Sequence, residues 1–268
     1  MEENAVPSTR TACLPGVPSW VSLTTRSIDA AMEFYGPLLG WHFEPAQGRW
    51  GNCARALAGE TVIAGISAVA PEWELPVTWT TYFGIESADT ATARVQERGG
   101  TVAVGPLESE AGRLALAADP AGAAFGLWEC RTTTCDKPSP LVGGTAVWVE
   151  LRTRDAFDAA FFYDGVLDWD RRRSPMYAIR WEEDRVVLEF QGSTVATMYG
   201  GAVEATADPR LRPRWTVFFS VPDTEAALET AEKLGGQAID EPSLTAFGRM
   251  VTLRDPEGGV FCVVSGHS

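Results

Sequence analysis

The segment of this chain best suited to chemistry is Trp148-Val-Glu150-Leu-Arg152. In an extended strand successive side chains point to opposite faces, so Trp148, Glu150 and Arg152 share one face. A carboxylate beside an indole loses water, which raises its pKa and suits it to act as a general base. The competing assignment pairs Glu150 with a neighbouring arginine, Arg152 or Arg154, as a structural ion pair. The same alternation adds Thr216 and Phe218 to that face, and it selects Trp20, Ser22, Thr80, Tyr82 and Trp128 for a matching face earlier in the chain. An aromatic wall carrying a few polar groups suits a planar organic ligand, and this chain has ten tryptophans with which to build one. Tyr82, Tyr177 and Tyr199 add hydroxyls able to bond a carbonyl, but no spacing in the sequence positions them.

Other chemistries lack their residues. There are two histidines. His42 reads as a surface residue on a strand and His267 is next to the last residue, so serine–histidine and cysteine–histidine sets are not supported. The five cysteines are scattered, odd in number and form no CxxC pair, which excludes a zinc ribbon and a disulfide framework and is expected of reduced thiols in the cytoplasm. No phosphate-binding glycine motif occurs, so no nucleotide cofactor is expected. A net charge of −14 argues against nucleic acid or an anionic membrane as partner. Arg171-Arg172-Arg173 reads as a solvated strand edge. No apolar run reaches the roughly 20 residues that span a bilayer, and no secretory signal is visible at the N-terminus.

The elements that carry these residues occur twice. Val21–Arg26 aligns with Val149–Arg154 at an offset of 128, which also carries Phe34-Tyr35 onto Phe162-Tyr163 and Trp41 onto Trp169. Farther on the offset is 136, matching Gly99-Gly100 with Gly235-Gly236 and Asp119-Pro120 with Asp255-Pro256. The difference predicts an insertion between Trp181 and Trp215. Within each half the order restarts: a strand, a helix and three strands, then the same again. In the first half Ser27 reads as a helix N-cap, Gly36-Pro37 as a loosening of that helix, and Gly99-Gly100 as the end of the second helix. The expected division is a poorly anchored leader (1–16), a first domain (17–130), a polar proline-rich linker (131–143) and a second domain (144–268).

Four landmarks in order, twice over, give the chain a resemblance. Phe-Tyr-x-x-x-Leu-x-Trp, the helix-ending Gly-Gly, Gly-Arg at the next strand and Asp-Pro-x-Gly before the closing strand are similar to those of the vicinal oxygen chelate superfamily, which includes glyoxalases, extradiol dioxygenases and bleomycin-resistance proteins. The chain most resembles its two-domain actinobacterial, glyoxalase-like (Cfp30B-like) members. The resemblance implies an α+β fold of two tandem domains. Each would be two βαβββ units forming an open curved sheet with helices outside, its concave face holding the site. It also implies where a metal would be held: at Trp20, Thr80 and Gly126 in the first half and at Trp148, Thr216 and Cys262 in the second. An indole N–H has no lone pair to donate and glycine has no side chain, so no metal is expected in either half. Trp20 and Trp148 then either plug a lost metal site or line a ligand cleft.

The leading expectation is a metal-free small-molecule binder of bleomycin-resistance type, without a cofactor, holding an aromatic or polyketide-like compound in a Trp-lined cleft. The alternative is a metal-independent lyase, isomerase or cyclase with Glu150 as base. A diverged metal-dependent glyoxalase is the weakest of the three. The two halves are expected to pair within one chain, and a homodimer is the further possibility.

Overall fold

The structure is a computed structural model, and it describes residues 15–48, 51–68, 76–109, 112–130, 146–169, 177–182, 184–203, 212–245 and 247–266. The linker expected at 131–143, residues 1–14 of the leader, Arg171–Arg173 and His267 lie outside the described residues.

The first half runs Pro18–Thr25 (β1), Ile28–Leu39 (α1), His42–Gly48 (β2), Gly51–Ala58 (β3), Thr61–Ala68 (β4), Thr78–Ile85 (β5), Ala88–Glu97 (α2), Thr101–Ser109 (β6), Gly112–Ala118 (β7) and Ala124–Cys130 (β8). The second half repeats it: Ala146–Arg152 (β9), Ala156–Leu167 (α3), Tyr177–Trp181 (β10), Arg185–Phe190 (β11), Ser193–Tyr199 (β12), Arg214–Ser220 (β13) and Thr224–Lys233 (α4). Gln237–Ala238 (β14), Ser243–Thr245 (β15), Gly248–Arg254 (β16) and Val260–Ser265 (β17) complete it. Each half is one mixed sheet, in the order β2-β3-β4-β1-β5-β8-β7-β6 and β10-β11-β12-β9-β13-β17-β16-β14, with β15 beside β16. Both are open, with an unjoined strand at either end, and the α+β class with two tandem units is as expected.

Side-chain oxygens start all four helices among the described residues. Ser27 Oγ accepts from Ala30 N at 3.2 Å, and Asp155 accepts from Phe157 and Asp158 N at 2.8 and 3.0 Å. Gly36-Pro37 does not break α1, which runs on to Leu39, because Phe34, Tyr35, Leu38 and Leu39 bury the helix face on either side of the proline. α1 stops at Gly40 in the left-handed conformation, where α3 uses Asp168 instead.

The helices lie on one face of each sheet, and that face is also where the halves meet. One continuous core joins them, with α1 against α4 and α2 against α3. At its centre the repeated landmarks exchange partners. Tyr35 donates to Asp255 Oδ2 at 2.8 Å and accepts from Trp79 Nε1 at 3.0 Å. Tyr163 donates to Asp119 Oδ2 at 3.1 Å and accepts from Trp215 Nε1 at 2.8 Å. Each aspartate also organises its own turn: Asp255 Oδ1 accepts from Glu257 and Gly259 N, and Asp119 Oδ1 from Ala121 and Ala123 N. The second glycine of each Gly-Gly pair makes room for the other half's phenylalanine. A Cβ on Gly236 would lie 2.8 Å from the Phe34 ring, and one on Gly100 would lie 3.0 Å from Phe162. Phe-Tyr of one half is therefore seated on Gly-Gly and Asp-Pro of the other.

Two expectations change. The offset between halves is 128 at Ser22/Glu150, 136 at Phe43/Ile179, 132 at Gly65/Thr197 and 136 at Thr80/Thr216. Extra residues thus enter before β10, some are recovered at the turn between β10 and β11, and more are added between β12 and β13. A single insertion after Trp181 is not what the chain contains, because landmark motifs measure only the net difference. The leader is also anchored at its end: Gly16 N donates to Gly84 O at 2.7 Å, Trp169 Nε1 to Gly16 O at 2.5 Å and Tyr177 OH to Pro15 O at 2.9 Å.

Removing one crossing hydroxyl leaves a buried carboxylate oxygen and a buried indole N–H without their partner, at about 1–3 kcal/mol per group. Tyr35→Phe and Tyr163→Phe are each expected to lower the melting temperature by about 4–10 °C. A shift under 1 °C in calorimetry for both would show that the crossing does not hold the halves.

Candidate functional site

The face of each sheet away from the helices carries the residues singled out in the sequence. In the second half β9 is central, flanked by β12 on one side and β13 on the other, and register sets three rows across it. The first row is Trp148–Phe218–Cys262. The second is Val187–Thr197–Glu150–Thr216, and the third is Arg185–Tyr199–Arg152–Arg214. Trp148, Glu150, Arg152, Thr216 and Phe218 do share one face, as the alternation requires.

Glu150 sits at the middle of this surface. It accepts from Thr197 Oγ1 at 3.5 Å, and Arg152, Arg185 and Arg214 all act on its charge. Burial outweighs those cations and pushes its carboxyl up to about 7 from an ordinary 4.5. Of the arginines expected beside it Arg152 is present, but the surroundings also hold Arg185 and Arg214, which the sequence did not reveal. Arg185 Nη1 donates to Tyr199 OH at 2.6 Å and its Nε is paired with Glu182. This row places Tyr199 beside the carboxylate. Tyr177 instead binds the leader.

Aromatic rings wall one end of the row. Trp148 and Phe218 stack at 4.4 Å with 19° between their planes, and Phe247, from the turn before β16, lies 5.0 Å from the indole. Trp148 is 7 % exposed and its Nε1 has no hydrogen-bond partner among the described residues. A buried donor left in this state costs about 1–3 kcal/mol.

The first half places Trp20, Ser22, Thr80, Tyr82 and Trp128 on its corresponding face, but without that chemistry. Its three rows are Trp20–Tyr82–Gly126, Arg55–Gly65–Ser22–Thr80 and Cys53–Ser67–Thr24–Thr78, with Trp128 beside Gly84. Tyr82, hydrogen-bonded to Ser22, lies across Gly126, where a Cβ would come within 2.1 Å of its ring. The other tryptophans of the strand pairs belong elsewhere. Trp79 and Trp215 join the interface between halves, and Trp181 stacks on Phe157 at 5.2 Å outside α3. Arg113 and Arg249 tie strands to helix starts, through Asp89 at 2.7 Å and through Glu225.

Neither set of positions fits the metal that such a fold can hold. Trp20–Tyr82–Gly126 offers no ligand at the two outer places, and the ring of Tyr82 fills the space above Gly126. In Trp148–Phe218–Cys262 the single donor is a fully buried thiol whose pKa is raised by that burial. Thr80 and Thr216 lie one row away, opposite Ser22 and Glu150. Among the described residues no three of His, Cys, Asp and Glu come together as a metal site.

The shift on Glu150 has a stability consequence of definite sign. Between about pH 4.5 and 7 the folded chain holds a proton that the unfolded chain releases, so this group makes stability fall as pH rises through that window. Glu150→Gln removes the penalty and is expected to be more stable than wild type by about 1–3 kcal/mol at pH 8, but equal to it near pH 4. Parallel melting curves across that range check this, and a constant difference at all pH values would refute it.

Comparison with known proteins agrees with this architecture. Residues 18–127 match the family model described as glyoxalase/bleomycin resistance protein/dioxygenase superfamily, and residues 148–264 match that of the glyoxalase-like domain. CFP32 of Mycobacterium tuberculosis, named as a candidate glyoxylase, is 34 % identical over 258 residues, which is 93 % of this chain and 94 % of that protein. The anthracycline biosynthesis protein DauV of a Streptomyces species is 32 % identical over 265 residues, 93 % of either chain. The fold is also similar to the Mn(II)-bound glyoxalase of Novosphingobium aromaticivorans, with a TM-score of 0.59 and 15 % identity over 94 % of this chain and 83 % of that one. For the 2,3-dioxygenase LapB of Pseudomonas sp. KL28 the TM-score is 0.60, with 11 % identity over 96 % and 94 %. With both halves matched and the relatives aligned along nearly its whole length, this chain belongs to the vicinal oxygen chelate superfamily of glyoxalases, bleomycin-resistance proteins and dioxygenases.

Proposed function

We propose that the helix-free face of the second half binds a planar, anionic, polyketide-like aromatic compound, without a metal, in the manner of a bleomycin-resistance protein. The observation that carries this reading is the row Arg185–Tyr199–Arg152–Arg214 beside Glu150 and the Trp148–Phe218 stack. Three cations gathered on one face of a chain with net charge −14 favour an anion, and the stacked rings favour a flat one. The first half, with serine and threonines on the equivalent strand positions, is its internal contrast. Relatives named for anthracycline biosynthesis support a polycyclic aromatic ligand. No helix among the described residues is long and apolar enough to cross a membrane; the cytoplasmic location in this reading rests on the odd, scattered cysteines of the sequence.

A second reading follows from Glu150. A carboxyl half-ionised near neutral pH, with arginines at hand for a developing oxyanion, is suited to remove a proton from a bound enolisable compound in a lyase, isomerase or cyclase reaction. The two readings part at one substitution. Glu150→Gln leaves a binder's affinity within about threefold, whereas an enzyme keeps its ligand and loses turnover by 100-fold or more.

The metal-free part is tested on the purified protein by elemental analysis and by melting with and without chelator. Less than one metal per ten chains and an unchanged melting temperature are expected. Near one metal per chain with a melting temperature that falls on chelation would restore the metal-dependent glyoxalase, which would then have to act on a hemithioacetal.

A further inference from the structure

The indole N–H of Trp148 is one of three buried side-chain N or O atoms without a hydrogen-bond partner among the described residues, beside Thr81 Oγ1 and Arg113 Nε. Trp79, Trp169 and Trp215 are buried to a similar degree and each donates its N–H. Trp148 instead sits in a small apolar cluster with Phe218, Cys262 and Val264, against which Phe247 and Met250 pack. Phe247 lies 5.0 Å from the indole and has the guanidinium of Arg185 over its ring, 5.7 Å from the ring centre. None of these neighbours gives the N–H a hydrogen bond.

Phe247 is also the member of this cluster best able to leave. It stands on the turn between β15 and β16, not on a strand. Thr245 Oγ1 holds that turn closed, donating to Gly248 O at 2.9 Å and accepting from Phe247 N at 3.2 Å. The backbone can therefore stay in place while the ring swings about its own side-chain bonds, a rotamer change. The repeat supplies a contrast: Trp20, the counterpart of Trp148, is more exposed than Trp148.

Resting on the binding cleft proposed above, we propose that Phe247 is a displaceable cover, and that a planar ligand with a ring carbonyl takes its place between Trp148 and Arg185, accepting from Trp148 Nε1. The ligand class is thereby narrowed to aromatic ketones and quinones. Their flat ring replaces the contacts of Phe247, and their oxygen supplies the acceptor that Phe247 lacks. The arginine that faces the cover ring faces the ligand afterwards.

Two soluble probes isolate the carbonyl. Anthraquinone-2-sulfonate and anthracene-2-sulfonate share ring skeleton and charge, and they differ in the quinone oxygens. By calorimetric titration the wild-type chain is expected to bind the quinone about tenfold more tightly. Trp148→Phe should keep the stacking surface and bring that ratio to about one. Phe247→Ala should bind both probes several-fold more tightly with the ratio retained, since no ring need be displaced. Without any ligand, the Trp148 indole N–H signal in a nitrogen–proton spectrum, identified by its loss in Trp148→Phe, should exchange with water faster in Phe247→Ala. An unchanged ratio in Trp148→Phe, or an unchanged exchange rate in Phe247→Ala, overturns the covered subsite while leaving the cleft. Failure of both probes to bind wild type and Phe247→Ala alike overturns the cleft itself, and the subsite with it.

Discussion

The rest of this structure depends on two crossed hydrogen-bond relays, Trp79 to Tyr35 to Asp255 and Trp215 to Tyr163 to Asp119. Each joins three polar groups that burial would make costly alone, and each spans both halves. Burial raises the pKa of Asp255 and Asp119, while the tyrosine hydroxyl and the backbone N–H groups of the turn act to keep each carboxylate ionised. A half folded without its partner would expose the aromatic face and leave tyrosine and aspartate to water. The crossing thus ties the two halves of a duplicated sequence into one core.

That arrangement consumes one face of each sheet and leaves the other free to diverge. On the shared face the repeat is conservative: tyrosine, aspartate and glycine recur because each has a partner in the other half, and tryptophan recurs because it donates to the crossing tyrosine of its own half. On the free face the halves differ row by row. Ser22 and Thr24 in β1 stand where β9 has Glu150 and Arg152, and Gly65 stands where β12 has Thr197. Tyr82 packs over Gly126 in the first half, whereas in the second half Cys262 occupies that place and Phe218 stacks with Trp148 instead. A duplicated scaffold can carry such asymmetry because the residues that hold it together are not those that face outward.

Most of the fold was legible in the chain. Strands at Thr61–Ala68, Thr78–Ile85 and Gly112–Ala118 follow alternation between clear turn residues, and the Ser27 cap marks its helix. The site was legible along strands and not across them. Alternation groups Trp148 with Glu150 and Arg152, but Arg185, Thr197, Tyr199 and Arg214 reach Glu150 only through the register of β11, β12 and β13. The parallel pairing of β12 with β9 joins residues nearly fifty apart, with no turn motif between them to set the register. Phe247 was hidden for a related reason, since a turn residue has no periodicity to assign it to a face.

Spacing and residue type were enough to establish the duplication, the strand and helix order, and the shared face of Trp148, Glu150 and Arg152. These are local or repeated properties, carried by residues whose neighbours in the chain decide their orientation. Tertiary structure alone decided that Tyr35 reaches Asp255 and not Asp119, that Trp79 and Trp215 bind tyrosines and not ligand, and that Glu150 is held among three arginines at a raised pKa. A pKa depends on every charge and every lost water around the group. A partner exchange between repeats depends on how two identical-looking faces dock, and both halves of this chain carry the same motifs for either choice.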